Sequence, residues 1–341
     1  MRHILVIRLS ALGDVALLAP VLRRRAEANP DVHFTVAAPP MLEPLFGGMD
    51  NVTFLGLKKQ QSSWRIFRAL KAVGAAEVAD LHVVNRVGLA LILLQLDHWL
   101  HFDFRFRIFA LDKGRRSRRR MLSHRDMNPR RPQWQRYDDV FARMRLEKSE
   151  NREAKIESHK LMATDSQTRT PNAQPTVGVA PFSQHDGKVW PLELTERLVA
   201  MLANAGYNVL LFGSKSEAAT LEQWAAKYSG AISVAGKHGF ADELSLIASL
   251  DLMVSMDSAN MHFASAVGTR VVSIWGATHP DFGFYGYGQD RADALCANLS
   301  CQPCSAFGQR PCRYGDHRCL RAIAPEAVFE KVQKILALQR N

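Results

Sequence analysis

A polar cluster near the end of this 341-residue sequence has the composition of a ligand-binding edge. The apolar run at residues 250–255 reads as a buried strand, and Asp257 and Ser258 follow it where a helix N-cap is expected. His262 comes one helical turn later. Because a helix N-terminus at a sheet edge offers free N–H groups, this pattern favours phosphate binding, with Asp257 contacting a hydroxyl or an amide. On this segment alone, simple capping by Asp257 and Ser258 with His262 in the core is an equal alternative.

The amino-terminal residues repeat this organisation. A strand pattern at residues 3–8 leads through a polar turn into a helix pattern at residues 15–22. We expect Gly13 to let the backbone approach a ligand and Asp14 to sit at the helix start. No G-x-G-x-x-G follows the strand, which argues against a dinucleotide-dependent dehydrogenase.

The segment at residues 181–191 joins a third strand pattern to a helix that Pro191 could open from its first position. Lys188 in this segment can reach a diphosphate as a point charge, and Ser183 can add a hydrogen bond. From the segment alone, an exposed loop lysine is the alternative.

These motifs together resemble glycosyltransferase family 9, whose best-known members are the ADP-heptose:lipopolysaccharide heptosyltransferases. The resemblance rests on Leu12-Gly-Asp14, on Lys188-Val-Trp-Pro191, on Asp257-Ser-x-x-x-His262 and on Gly276-x-Thr-x-Pro280, and it extends in order to about Pro325. One position departs from the family pattern, because Ala259 stands where the family usually has glycine.

The resemblance implies an inverting, metal-independent transfer of a sugar, expected to be heptose, from a nucleotide diphosphate such as ADP-heptose, with no cofactor. The implied acceptor is a lipopolysaccharide core or a related acidic glycolipid. A sugar hydroxyl is a poor nucleophile, so a carboxylate must accept its proton, and we assign that role to Asp14. The residues expected to bind the donor are Ser183, Lys188, Glu217, Asp257, Ser258 and His262. Those expected to bind the acceptor are Ser10, Gly13, Arg115, Arg116, Arg118, Arg119 and Arg120.

Strand and helix patterns alternate along the whole chain, which is typical of α/β proteins with parallel sheets. We predict the GT-B architecture named by the resemblance, with two Rossmann-like doubly wound domains facing a central cleft. The polar, proline-containing stretch at residues 161–175 predicts the boundary between them. The first domain is expected at residues 1–165 and binds the acceptor, and the second is expected at residues 176–324 and binds the nucleotide sugar. A last helix at residues 325–341 is expected to pack back on the first domain.

The positive charge is unevenly distributed. The net charge is +11, and residues 1–160 hold 29 Lys and Arg against 17 Asp and Glu, whereas residues 161–341 hold 15 against 16. Much of the excess lies at residues 113–125, which predicts an acidic partner: a phosphorylated glycolipid, the anionic inner leaflet or nucleic acid. A basic loop without a ligand is the alternative. We expect a glycolipid and peripheral contact with the inner membrane, and no specific nucleic acid.

Two further function classes stay open from the sequence. One is another nucleotide-sugar enzyme of the same fold, such as an epimerase, and the other is a non-catalytic basic protein that binds nucleic acid or membrane. The chain opens without a secretory signal pattern, and its longest apolar run, residues 87–96, is about half of the roughly 20 residues that a spanning helix needs. We therefore expect a cytoplasmic protein at the inner face of the membrane.

Four of the five cysteines, at positions 301, 304, 312 and 319, have a spacing that could form a tetrathiolate zinc site. Reduced, partly buried packing residues are the favoured interpretation, because the spacing matches no standard zinc ribbon or finger.

Overall fold

The computed structural model describes residues 2–148 and 174–340. They divide into two compact units, each built on one parallel β-sheet. The strands of the first unit are β1 (Arg2–Ile7), β2 (Val32–Ala38), β3 (Val52–Gly56), β4 (Glu77–Asp80) and β5 (Arg107–Ala110). Those of the second are β6 (Thr176–Ala180), β7 (Asn208–Leu211), β8 (Ala231–Ser233), β9 (Leu252–Met256), β10 (Val271–Trp275) and β11 (Ala294–Cys296).

Both sheets have the strand order of a doubly wound fold. The first runs β3-β2-β1-β4-β5, and the second runs β8-β7-β6-β9-β10-β11, with every paired neighbour parallel. In each sheet the chain starts at the centre, builds outwards in one direction, and then crosses to build in the other. The crossing lies between β1 and β4 in one sheet and between β6 and β9 in the other. Ligands of doubly wound proteins bind beyond the carboxyl ends of the strands at this point.

Helices cover the sheets. They are α1 (Leu12–Ala28), α2 (Ser63–Val73), α3 (Asn85–Leu100), α4 (Arg115–Leu122), α5 (Gln133–Arg143), α6 (Leu192–Asn204), α7 (Ala218–Lys227), α8 (Phe240–Ser249), α9 (Ala259–Val267), α10 (Arg318–Arg321) and α11 (Pro325–Arg340). In the first unit, α2 and α3 pack with alternate residues of β1 such as Leu5 and Ile7. The intervening residues Ile4 and Val6 are also fully buried. Burial of both faces of a strand is why these segments read as continuous apolar runs.

The second unit has a separate core. Strands β6, β7, β9 and β10 pack there with α6, α7 and α11. Helix α9 contacts β9 and β10, and α8 packs on α9. Two independent cores are what the sequence predicts for two domains, although all but the last two residues of the predicted boundary at residues 161–175 lie outside the described residues.

Two domain assignments need correction. Residues 114–132, which carry α4, group with the second unit and not with the first, because their contacts lie there; the Arg130 amide, for example, donates to the Asp281 carbonyl at 2.7 Å. The last helix was expected on the first domain, but Val328, Val332, Ile335 and Leu336 of α11 belong to the core of the second unit. Its packing on α6 and β10 buries its apolar face, which explains the difference.

Candidate functional site

The predicted site residues of each unit collect at the ends of its two central strands. Asp14 follows β1, which neighbours β4. Lys188 follows β6, and Asp257 follows the neighbouring β9. Parallel strands bring the segments after their carboxyl ends to one sheet edge, so two sequence-distant polar segments meet in the second unit.

Asp14 is held in place by a buried arginine. The Arg8 guanidinium, at the end of β1, forms an ion pair with Oδ2 of Asp14, and the Ala11 amide donates to the same oxygen at 3.3 Å. The Asp14 side chain is 20% exposed, and its Oδ1 accepts no hydrogen bond from the rest of the described chain. One oxygen therefore anchors the carboxylate while the other is open to a ligand.

Arg8 was not predicted as a site residue. Burial lowers the pKa of this guanidinium, but Asp14 and Tyr137 more than offset the effect and raise it above its usual value. Arg8 therefore stays charged, and the Tyr137 ring lies 5.8 Å from it. The signal in the sequence is an arginine at the last position of an otherwise apolar strand pattern.

Gly13 and Ser10 flank this arrangement. Gly13 is buried inside the first turn of α1, and Ser10 is half-buried just before the helix. Asp14 occupies the third helical position and its carboxylate accepts the N-cap amide, so the predicted place at the helix start is confirmed. The expected contact of Gly13 and Ser10 with an acceptor stays a prediction.

Asp80 and His82 stand at the end of β4, on the other side of the strand crossing. Asp80 Oδ1 accepts the amides of His82 and Val83 at 2.9 and 2.8 Å. Burial raises the pKa of Asp80 despite these bonds. Burial, Arg8 and Lys113 lower the pKa of His82 to about 4, so this imidazole is neutral near pH 7. Nothing in the sequence pattern pointed to these two residues.

Lys188 and Asp257 form the centre of the site in the second unit. Lys188 Nζ lies 2.8 Å from Asp257 Oδ2, and the two side chains are 15% and 6% exposed. The Thr278 hydroxyl donates to the same carboxylate oxygen at 2.8 Å. An ammonium has three donors, and Asp257 uses one of them. Asp257 thus fixes the lysine and leaves its other N–H bonds for an anion.

Ser258 is the N-cap residue of α9, as predicted, but its side chain does not cap the helix. Its Oγ lies 3.2 Å from Ser255 Oγ instead. The first amides of α9 are therefore not satisfied by this hydroxyl, and such amides bind phosphate oxygens well. The Ser183 hydroxyl donates to the Asp257 carbonyl at 3.4 Å, and His262 is buried one turn into α9.

A close approach of three backbone segments supports Lys188. The Ala277 amide donates to the Gly187 carbonyl at 2.7 Å, and a Cβ on Gly187 would come within 2.8 Å of the Gly308 carbonyl oxygen. Gly308 has φ +84°, and a Cβ there would meet Lys188 Cγ at 2.6 Å. The loop around Gly308 therefore packs on the aliphatic part of the lysine, which positions the ammonium. No pattern in the sequence predicts this contact.

Trp190 anchors the segment that carries Lys188. Its ring is fully buried, and Nε1 donates to the carbonyls of Leu320 and Ile323, each at 3.1 Å. Pro191 was expected at the first position of the helix, and it is instead the N-cap of α6, one residue earlier. In the Lys-x-Trp-Pro motif, tryptophan and proline are structural and lysine is the residue free to act on a ligand.

Glu217 lies at the start of α7, after β7, as expected. Its Oε2 accepts the Ser214 amide at 2.6 Å. This bond closes the turn and orients the carboxylate. Its predicted contact with a ribose stays a prediction.

The basic segment forms the short helix α4. Arg118 lies over the rings of Phe284 and Phe307, at 5.3 and 6.0 Å from their centroids. The other four predicted arginines are exposed, and they are Arg115, Arg116, Arg119 and Arg120. Their spacing places them as two neighbouring pairs one turn apart along the helix.

All five cysteines are free thiols, of which Cys319 is buried. Burial raises the pKa of Cys319 to about 12, which makes it a poor nucleophile. In residues 2–148 and 174–340, no three side chains of the types His, Cys, Asp or Glu are grouped so that they could hold a metal ion. None of the helices in the same part of the chain has both the length and the apolar character needed to span a bilayer.

Comparison with known proteins gives a consistent result. The model of the family "Glycosyltransferase family 9 (heptosyltransferase)" matches residues 108–314. The chain is 28% identical over 184 residues to lipooligosaccharide heptosyltransferase 2 of Haemophilus influenzae, with 52% of each chain covered. It is 29% identical over 175 residues to lipopolysaccharide heptosyltransferase 2 of Salmonella typhimurium, with 48% of this chain and 47% of that protein covered. The chain thus spans about half the length of these relatives in each match.

Solved structures agree over the whole length. A family 9 glycosyl transferase from Veillonella parvula has a TM-score of 0.71 and 19% identity, over 98% of this chain and 97% of that one. E. coli ADP-heptose lps heptosyltransferase II has a TM-score of 0.67 and 20% identity, over 100% of both chains. At such identities the likeness concerns the fold, and it confirms the predicted GT-B class with two Rossmann-like domains.

Proposed function

The chain belongs to glycosyltransferase family 9, and from this premise we propose that it transfers heptose from ADP-heptose to a lipopolysaccharide core or related acidic glycolipid, with inversion and without a metal ion. The observation that carries the proposal is the Lys188–Asp257 pair at the strand crossing of the second unit. The ammonium is partly buried, and a carboxylate and a closely packed loop hold it in position, so it is preorganised to bind an anion. An ordinary surface lysine lacks these supporting contacts.

The donor is bound by the second unit in this proposal. Two N–H bonds of Lys188 and the first amides of α9 contact the diphosphate. Ser183 and His262 lie on the segments beside it, and Glu217 accepts the ribose hydroxyls, for which a carboxylate is a natural partner. Ala259 at the first position of α9 replaces the family glycine and sets how closely the diphosphate approaches that backbone.

The reaction is a single displacement. The acceptor oxygen attacks the anomeric carbon, its new bond to carbon forms as the bond from carbon to the diphosphate oxygen breaks, and the configuration inverts. The hydroxyl proton passes to Oδ1 of Asp14. Arg8 holds Oδ2, so the carboxylate does not rotate away during the transfer.

Negative charge grows on the leaving diphosphate in the transition state. Lys188 and the N-terminus of α9 are fixed before the reaction, and preorganised positive charge of this kind stabilises a leaving group strongly. In other transferases a divalent cation stabilises the charge of the leaving diphosphate. Because Lys188 and the α9 N-terminus can do so here, we propose metal-independent transfer.

The acceptor carries the acidic groups that α4 contacts. Arg115, Arg116, Arg119 and Arg120 present guanidinium groups suited to phosphate, and Arg118 is held by two phenylalanine rings. Ser10 and Gly13 lie beside Asp14 and complete the proposed acceptor contacts. Such an acceptor places the enzyme at the inner face of the cytoplasmic membrane.

The test combines nucleotide binding with product analysis. Calorimetry with ADP, UDP and GDP should give the tightest binding for ADP. ADP release from ADP-heptose should require a heptose-accepting lipopolysaccharide core, should persist in EDTA, and should give a product of inverted anomeric configuration by NMR. Donor turnover without acceptor would instead identify an epimerase. Salt-dependent DNA binding without nucleotide affinity would identify a non-catalytic basic protein.

A further inference from the structure

Helix α3 has an apolar face that the fold leaves exposed. Leu89, Ile92, Leu96 and Trp99 recur at intervals of three and four residues, and each is at least half exposed. The opposite side of the same helix, including Val87 and Leu91, is buried in the first core. A helix at a water-exposed surface normally carries polar residues on its outer side, so an apolar outer face indicates a surface that meets something apolar.

The turn after α3 extends this face. Phe102 and Phe104 are 82% and 71% exposed, and their rings lie 6.5 Å apart in an edge-to-face arrangement. They follow Leu100 and His101 at the helix end. We call α3 residues 89, 92, 96 and 99 together with Phe102 and Phe104 the α3 face.

Phe102 occupies a backbone position that favours glycine. The Asp103 amide donates to the His98 carbonyl at 2.9 Å, and the Phe102 amide donates to the Trp99 carbonyl at 3.1 Å, which is the Schellman pattern of a helix end. Phe102 has φ +56°, in the left-handed region that a bulky side chain rarely adopts. An exposed phenylalanine at such a position buries little surface on folding and strains the backbone, and positions of this kind point to function.

The segments next to the α3 face carry exposed basic residues: α2, which packs on α3, has Arg65, Arg68 and Lys71, and Arg105 follows Phe104. Residues 58–107 contain eight Lys and Arg against four Asp and Glu. Two of the four acids, Glu77 and Asp80, are buried. The two others are already paired, Asp97 with Lys71 at 2.6 Å and Asp103 with His98 at 3.0 Å. The exposed charged side chains of these segments are therefore mainly basic.

We propose that the α3 face inserts into the headgroup region of an anionic phospholipid bilayer. Exposed Trp, Phe and Leu side chains beside basic residues are the composition of interfacial membrane contacts. A second copy of this chain would bring the basic residues of both copies together, which opposes that alternative. The inference rests on the proposed function for its purpose, because a lipid-linked acceptor is presented at a bilayer.

The test is co-sedimentation of the full chain with vesicles, without donor or acceptor. Vesicles of equal parts phosphatidylglycerol and phosphatidylcholine should bind the protein, and pure phosphatidylcholine should bind it less. The triple variant Trp99→Ser, Phe104→Ser and Phe102→Ser should lose about tenfold or more of the partition coefficient, since aromatic burial contributes most of such binding. The control is the double variant Ile232→Ser and Leu338→Ser, which removes similarly exposed residues of the second unit and should bind like wild type.

The single variant Phe102→Gly separates membrane contact from folding. It should raise the melting temperature and at the same time lower the partition coefficient. Equal binding by wild type and the triple variant would overturn the proposal, and so would a concentration-dependent dimer that the triple variant abolishes. ADP affinity is measured on the same proteins. Unchanged ADP affinity in a triple variant that no longer binds vesicles supports the proposal. A wild-type protein that binds vesicles but has no ADP affinity would contradict only the proposed function.

Discussion

The ion pair between Arg8 and Asp14 fixes the proposed base and leaves one of its two oxygens open to the acceptor. The guanidinium is buried behind the carboxylate and contacts Oδ2, so the attraction that fixes the side chain comes from one side. Arg8 also donates to the Leu81 carbonyl after β4. The pair therefore connects the two strand ends of the first unit, and the position of Asp14 depends on both.

Replacing Asp14 with asparagine should stop transfer and spare donor binding. Asparagine keeps the shape and the contact to the Ala11 amide but cannot accept the acceptor proton. We expect kcat to fall by about 100- to 10,000-fold, the usual contribution of a general base, with less than a threefold change in the Kd for ADP. Steady-state ADP release and calorimetry measure the two.

The matched control is Asp138→Asn. Asp138 also pairs with a buried arginine of the first unit, Arg25, at 2.7 Å, but at the other end of α1 from Asp14. It should lower the melting temperature and leave kcat nearly unchanged. Retention of most activity by Asp14→Asn would show that another group takes the proton.

Lys188→Met tests the anion site directly. Charge-assisted hydrogen bonds to a diphosphate contribute about 1.5–3 kcal/mol each, so loss of the two proposed for Lys188 should raise the Kd for ADP by about 100-fold or more. Adenosine, which has no phosphate, should bind both proteins equally. The exposed Lys237→Met is the charge-matched control and should change neither value.

Loss of Lys188 also leaves Asp257 buried without its cation, which destabilises the fold. The double variant Lys188→Met with Asp257→Asn removes that unpaired charge. It should recover the melting temperature and keep the weak ADP binding. Recovery of ADP binding in the double variant would contradict the role given to Lys188.

At the scale of the elements, the sequence predicted the central strands and two of the four edge strands, β3 and β8, and missed the other two. Strands β1, β6 and β9 are mostly apolar and mostly buried because helices cover both faces, and that pattern is readable. The edge strands β5 and β11 have mostly exposed or half-buried residues and were missed. Neither of these two strands has the long apolar run of a buried strand, so local pattern did not separate them from loops.

The site shows the same division. Asp14, Lys188 and Ser258 were predicted because each follows a readable strand, and their positions at strand ends are confirmed. Arg8, Thr278 and Gly308 were not predicted, since their roles depend on contacts between distant segments. The place of α11 was wrong for a related reason: an amphipathic pattern tells which face is buried but not which sheet covers it.

Gly308→Ala should weaken donor binding through the loop on Lys188. The added Cβ would meet Lys188 Cγ at 2.6 Å and displace the side chain. The φ of +84° adds backbone strain of about 1–2 kcal/mol. We expect the Kd for ADP to rise at least about fivefold, with each 1.4 kcal/mol of lost contact worth a factor of ten.

Gly315→Ala is the matched control for this variant. Gly315 lies in the same cysteine-containing region with φ +75°, but no atom lies within 4 Å of its Cβ position. Both variants should lose similar stability in thermal unfolding, and only Gly308→Ala should lose ADP affinity. Equal affinities would show that the loop does not position the lysine.

At the scale of the whole molecule, the two units share a strand order, and the excess positive charge lies in the first half of the sequence. Residues 1–160 carry a net +12 and residues 161–341 a net −1, from 29 − 17 and 15 − 16. The excess positive charge is exposed at two places, the surroundings of the α3 face in the first unit and α4 in the second. Both proposed lipid-related surfaces, the bilayer contact and the acceptor contact, coincide with that excess. This agrees with an acceptor that is both acidic and anchored in a membrane.

The pH dependence of global stability should contain a contribution from one buried histidine. His82 is 4% exposed, and burial together with Arg8 and Lys113 lowers its pKa to about 4. In the unfolded chain its pKa is about 6.5. Above that pH both states are neutral and His82 has no effect; as pH falls towards 4, the unfolded state binds a proton that the folded state does not, so the free energy of unfolding decreases. The full effect is at most about 3.4 kcal/mol, because the pKa of His82 falls from about 6.5 in the unfolded chain to about 4 and each unit is worth 1.36 kcal/mol. Urea unfolding between pH 7.5 and about 4 should therefore show a shallower loss of stability for His82→Gln than for wild type, while the exposed His238→Gln should follow the wild-type curve. Parallel curves for wild type and His82→Gln would mean that this imidazole is charged in the folded protein, and its neutral place beside Arg8 would have to be abandoned.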